Sequence, residues 1–154
     1  MKAPTTLELT WDRDLVFHGV SAGAAITLDS AGKAGPSPVQ ALAFALAGCM
    51  GMDVVHILRK GRFDVRGLKV SLVAERAPAD PHRITAVAVE FTVKGTVPDA
   101  QVQRAIDLSH EKYCSVWHSM RQDIPLTSRF TVAARQHRPG AARISTCSAG
   151  SLCS

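Results

Sequence analysis

Hydrophobic and polar residues alternate from Thr6 to Trp11, with Leu7, Leu9 and Trp11 on one face; this period of two predicts a half-buried strand. Asp12-Arg13-Asp14 reads as a turn, Leu15 to Val20 as a second strand and Ala25 to Asp29 as a third, before a glycine-containing loop from Ser30 to Gly35. Three short strands joined by tight turns make an antiparallel meander. The period then changes. Ser37-Pro38-Val39-Gln40 opens a helix: Ser37 caps it, Pro38 suits the first helical position, and Gln40 completes a capping box. The helix runs to about Lys60, with Gly61 as its stop. From Ala41 to Leu58 it is apolar almost all round, and by length alone it would suit a membrane span. Asp53 and His56 lie within it, and the flanking strands need a partner to cover them. Those two facts favour a central helix buried on most of its circumference, and no membrane.

Alternation returns in Asp64 to Glu75, through Val65, Leu68, Val70 and Leu72, and again in Ile84 to Lys94, through Val87, Val89, Phe91 and Val93. With a turn at Ala77-Pro78-Ala79-Asp80-Pro81 between them, these form an antiparallel pair, the first strand bulged at Gly67. Pro98 and Asp99 open a helix from about Ala100 to Tyr113, with Val102, Ile106 and Leu108 inward. A shorter helix carries Cys114 to Met120, and Thr127 to Ala133 is a last strand. The fold class is α+β, in the order βββ-α-ββ-α-α-β, in one domain over residues 1–134. Periodicity stops at Ala134, and Arg135 to Ser154 reads as a mobile basic tail whose larger aliphatics are Ile144 and Leu152.

Composition changes this picture in two respects. Apolar residues make up 46% of the 154 and aromatics 5%, so the single core is aliphatic. The formal charge of +5 would point to nucleic acid, but Arg135, Arg138 and Arg143 place three of those charges in the acid-free tail. A near-neutral body with a basic tail argues against a nucleic-acid partner. Met1-Lys2-Ala3-Pro4-Thr5 runs straight into strand-like sequence with no apolar leader, so a cytoplasmic location with reduced thiols is expected. Cysteines at 49, 114, 147 and 153 lack zinc-ribbon spacing, which puts redox chemistry first.

Cys49 lies inside the long helix in Ala47-Gly48-Cys49-Met50-Gly51-Met52. Two helical glycines cost about 1 kcal/mol each relative to alanine, and such residues persist where something approaches closely. A mid-helix cysteine is also a common core residue, so both readings stand for Cys49 alone. Cys114 sits at a helix junction with His118 four residues on, where an imidazolium on the same face would favour thiolate. Asp53 and His56, four and seven residues after Cys49, can share its side of the helix. They could line a thiol pocket; alternatively, Asp53 pairs with a cation and His56 is structural. The spacing does not diagnose a Cys-His-Asp zinc site, and no metal is expected. Trp11 and Trp117 read as core or pocket wall, and Cys147 and Cys153 as free tail thiols.

Ser37-Pro38, the apolar helix with Ala47-Gly48-Cys49-Met50-Gly51-Met52-Asp53-Val54, and Lys112-Tyr113-Cys114-Ser115-Val116 together resemble the OsmC/Ohr family of thiol peroxidases. The resemblance spans roughly Thr6 to Ala134. It implies an intertwined homodimer with two active sites at the subunit interface, acting on organic hydroperoxides. The residue matching Cys49 would attack the peroxide and become a sulfenic acid, and the residue matching Cys114 would resolve it as a disulfide. An external thiol or dithiol would then reduce the disulfide, with no cofactor. Arg13 is the positional match for the family's thiolate-stabilising arginine, and Met52, Asp53 and Trp117 would line the substrate pocket. The chain departs from the peroxidase members at the glutamate that opens their long helix, where it has Val39 followed by Gln40. It also has Ser115 where the family's usual proline follows the second cysteine. These departures set a second reading beside the first: a non-catalytic OsmC-like protein that binds a small apolar or thiol-containing ligand.

Overall fold

The structure is a computed structural model that describes residues 3–133, so the expected tail and its two cysteines lie outside the described residues. Strands β1 (Glu8–Arg13), β2 (Val16–Ser21) and β3 (Ala24–Asp29) form an antiparallel meander in that order. Helix α1 (Pro38–Lys60) follows, then β4 (Asp64–Arg76) and β5 (Ile84–Thr96), helices α2 (Asp99–Leu108) and α3 (Ser115–His118), and β6 (Leu126–Ala133). The second sheet has the order β4-β5-β6, giving a mixed α+β architecture of two small sheets with helices.

The grammar that opens α1 operates as read. The Gln40 amide donates to Ser37 Oγ at 3.3 Å, and the Ser37 amide donates to Gln40 Oε1 at 2.8 Å. Gln40 is thereby committed to capping. Leu46, Met50, Val54 and Leu58, one turn apart on α1, are buried with Val87, Val89, Phe91 and Val93 of β5 and Val102, Ala105 and Ile106 of α2. Gly51 lets the helix settle on β4: a Cβ there would stand 3.1 Å from Val70 Cγ2. Gly48 has no such neighbour, so the close approach expected at both glycines occurs within the chain at Gly51.

Four expectations are corrected. First, α1 is not buried on most of its circumference: 28% of its most apolar 18-residue window is buried, and Phe44 and Met52 stay 70% and 75% exposed. Its length and hydropathy would suit a membrane crossing, yet its other face is packed on β4 and α2. Second, the first strand is not half-buried: every residue of β1 is exposed. Leu7, Leu9, Trp11 and Leu15 are exposed, because nothing among the described residues covers the face that the alternation marks as apolar. Trp11 is therefore not core; its ring N–H donates to the Asp14 carbonyl at 2.9 Å.

Third, the helix expected to run to Tyr113 changes winding. It is α-helical to Leu108, and Ser109–Tyr113 form a π turn closed by the Cys114 amide donating to the Ser109 carbonyl at 2.8 Å. Fourth, Cys114 is not inside α3. It is extended (φ −69°, ψ 93°) and caps that helix. The bulge of β4 falls between Val65 and Gly67, beside the expected position. Strand β6 runs parallel to β5, a pairing that requires the crossover supplied by α2 and α3. That crossover brings Cys114 back over α1.

Candidate functional site

Cys49 and Asp53, one turn apart on α1, share a face, and the end of the π turn delivers Cys114 to it. The two Sγ atoms and an Asp53 carboxylate oxygen all lie within 4.8 Å of one another. Cys114 is fully buried, Cys49 and Asp53 are half-buried, and both cysteines are free thiols. Cys49 Sγ stands 4.0 Å from Ser115 Oγ.

Two neighbours fix the geometry. The Ser109 hydroxyl, fully buried, donates to Asp53 Oδ2 at 2.8 Å. The Trp117 amide donates to Cys114 Sγ at 3.4 Å, so Trp117 serves the site through its backbone while its ring packs in the core. That ring also lies 5.3 Å from the His110 ring, tying α3 to the π turn. Asp53 has no ion-pair partner among the described residues; its partner is Ser109, not the cation considered above.

Electrostatics distinguish the sulfurs. Burial pushes the Cys114 thiol up to about 11, with Cys49 and the Asp53 carboxylate adding to the rise and the Trp117 amide opposing it. The expectation that His118 would draw Cys114 toward thiolate is therefore corrected. The His118 amide donates to the Cys114 carbonyl at 3.0 Å, but its side chain is exposed and is not among the groups that act on the Cys114 thiol.

The other expected residues are placed elsewhere. Arg13, at the end of β1, pairs with Asp12 at 2.8 Å and has no recorded contact with either thiol of its own chain. Met52 and His56 face a second feature of α1, an open groove of about 880 Å³ walled by Phe44, Met52, Val55, Leu68 and Val70, with Arg59 and Lys60 at one end. So the structure brings together Cys49, Asp53, Cys114 and the Trp117 backbone, and leaves Arg13, Met52 and His56 outside. Ser109 was missed. Its signal is a hydroxyl that continues the inward stripe of Val102, Ala105 and Ile106, which marks a buried hydrogen bond.

A family model described as OsmC-like protein matches residues 30–129, the stretch that holds the whole cluster. The chain belongs to the OsmC-like protein family. Protein YhfA of Escherichia coli K12 is similar to it, 41% identical over 127 residues covering 80% of this chain and 95% of that protein. A hypothetical protein of Aquifex aeolicus VF5 has a crystal structure that superposes with a TM-score of 0.81 at 26% identity, over 88% of this chain and all of that one. An organic hydroperoxide resistance protein OsmC of Legionella pneumophila shares the fold with a TM-score of 0.64 at 14% identity, over 84% of this chain and 98% of that one. The Gln40 side chain is held in the helix cap.

Proposed function

We propose that this OsmC-like protein is a cysteine-based peroxidase that reduces organic hydroperoxides through Cys49 and Cys114. The reading is carried by one observation: thiols 65 positions apart in sequence stand together, Cys114 buried and Cys49 half-buried. Cys49, the more accessible sulfur, is the nucleophile. Its thiolate attacks the outer peroxide oxygen, the O–O bond breaks, and the alkoxide takes up a proton, leaving Cys49 sulfenic acid and an alcohol. Cys114 then attacks that sulfur, and its thiol proton leaves with the hydroxyl as water. The resulting disulfide is returned to two thiols by an external thiol or dithiol, so the turnover needs no cofactor. Such a cycle needs a reducing compartment, and the cytoplasm is the proposed location.

A mid-helix thiol gains little from the helix dipole, so Cys49 needs a cation from elsewhere. Arg13 is the proposed source, delivered by the partner in an intertwined homodimer, since its own-chain partner is Asp12. Asp53 and Trp117 form the site's wall. Stopped-flow reduction of cumene hydroperoxide by the reduced protein tests the reading. Cys49→Ser should abolish the fast phase, whereas Cys114→Ser should keep one turnover and stop there. Equal rates in the wild type and Cys49→Ser would end it.

The open groove favours a second reading, a non-catalytic binder of small apolar or thiol-containing ligands. Apolar walls with a basic rim suit such a role. Thermal-shift screening of the Cys49→Ser protein separates the two: tight ligand binding with no peroxide consumption by the wild type supports the binder.

A further inference from the structure

Three groups that lose a proton to become anions meet at this site, and no cationic side chain pairs with its carboxylate among the described residues. Two are soft sulfur donors and one is a carboxylate. Cys49 and Asp53 have the one-turn spacing with which a helix presents two ligands to one ion, and Cys114 arrives from the crossover. Around a tetrahedral zinc ion, with Zn–S near 2.3 Å and Zn–O near 2.1 Å, donor atoms stand roughly 3.6 to 3.8 Å apart. The three donors here already lie within 4.8 Å, so modest side-chain rotation closes the gap.

The surroundings suit an ion as well. A ligating carboxylate is ordinarily steadied by a hydrogen bond from outside the coordination sphere, and the Ser109 hydroxyl makes that bond at 2.8 Å. Cys114 is buried and Cys49 half-buried, so one side is shielded while solvent reaches the other. Softness decides the class of cation. Two thiolates select zinc, cadmium or cobalt over magnesium or calcium, which take all-oxygen sets.

We propose that the reduced protein binds one thiophilic divalent cation, zinc being the reference ion, through Cys49, Cys114 and Asp53, with solvent in the fourth position. Binding replaces the two thiol protons, which leave to solvent, and no electron is transferred. The same sulfurs cannot bind the ion once joined as a disulfide, so metal occupancy and thiol oxidation exclude each other at this site.

The test uses the full-length reduced protein carrying Cys147→Ser and Cys153→Ser, so that tail thiols contribute nothing. Zinc is titrated in competition with a chromophoric chelator, and cobalt in parallel, whose thiolate charge-transfer absorption reports sulfur ligation directly. One equivalent per chain is expected. Cys49→Ser and Cys114→Ser should each weaken binding by at least about 100-fold, and Asp53→Asn, which keeps an acceptor for Ser109, by about 10-fold or more. Protein oxidised with diamide should bind none. Lack of saturable zinc binding, affinity unchanged by Cys49→Ser, or a cobalt complex without the thiolate band would each overturn the proposal. Because no peroxide is present, a protein that binds zinc but reduces no hydroperoxide keeps this inference and loses the peroxidase reading, and the reverse result separates them equally.

Discussion

Cys114 differs from Cys49 in being sealed from solvent, and that difference is measurable. At neutral pH a thiol near 11 holds roughly 100-fold less thiolate than one at 9.0, since each pH unit is a factor of ten. Timed iodoacetamide labelling followed by peptide mass analysis should therefore find Cys49 modified first, with Cys114 lagging and accelerating as pH rises. The same displacement links to stability. A thiol whose proton is held more tightly in the folded state contributes stability fully below its unfolded value, near 9.0, and loses that contribution as pH rises through about 11. The thermal midpoint should fall between those pH values, and Cys114→Ala should flatten that part of the profile. At this scale the sequence showed the two sulfurs and Asp53 as candidates but not their environment. The raised Cys114 value comes from burial, which depends on where the crossover lands. Arg13 and Met52 show the opposite limit: each was assigned by its match to a family, and neither has a recorded contact with the thiols of its own chain.

Among the elements, the period of alternation and the capping residues were legible, because both are local. The Ser37–Gln40 exchange that opens α1 involves four consecutive residues and forms as read. The π turn was not legible. One extra residue in a helix leaves the composition of Ser109–Tyr113 looking like ordinary helix, yet the turn ends with Cys114 extended. The parallel run of β6 was hidden for the same reason: strand direction depends on the path of the crossover, not on alternation. One glycine is a sharp test of the second sheet. Gly95, at φ 139° opposite Val65 on β4, has the Asp64 carbonyl where a Cβ would be, and Val65 Cα 3.2 Å away. Gly95→Ala must accept both a backbone conformation that side chains disfavour and a backbone collision. It should destabilise the fold by about 3 kcal/mol, read from chemical denaturation with an unchanged slope.

For the molecule as a whole, the sequence overstated how much apolar surface one chain can hide. Alternation marks which face of a strand is apolar, and a helix pattern marks how much of its circumference is; neither says whose atoms cover them. Phe44 and Met52 on α1 and Leu9, Trp11, Val20 and Ile26 of the first sheet are exposed among the described residues. Exposed apolar surface on this scale marks an interaction site. With a second copy as the covering partner, light scattering on the purified protein should give twice the 16.4 kDa chain mass. Phe44→Glu combined with Met52→Glu should shift the protein toward single chains without altering either thiol.

The meander of β1 to β3 carries this further. A small sheet with little to pack on has almost no cohesion of its own, so whatever rests against it must supply most of what keeps it formed. If that support is another molecule, diluting the sample ought to fray these three strands before the rest, and the melting temperature would climb with protein concentration. Amide protons of residues 8–29 should then exchange within seconds in dilute solution while those of β5 hold for far longer, the durability of these three strands being set by how often two chains meet.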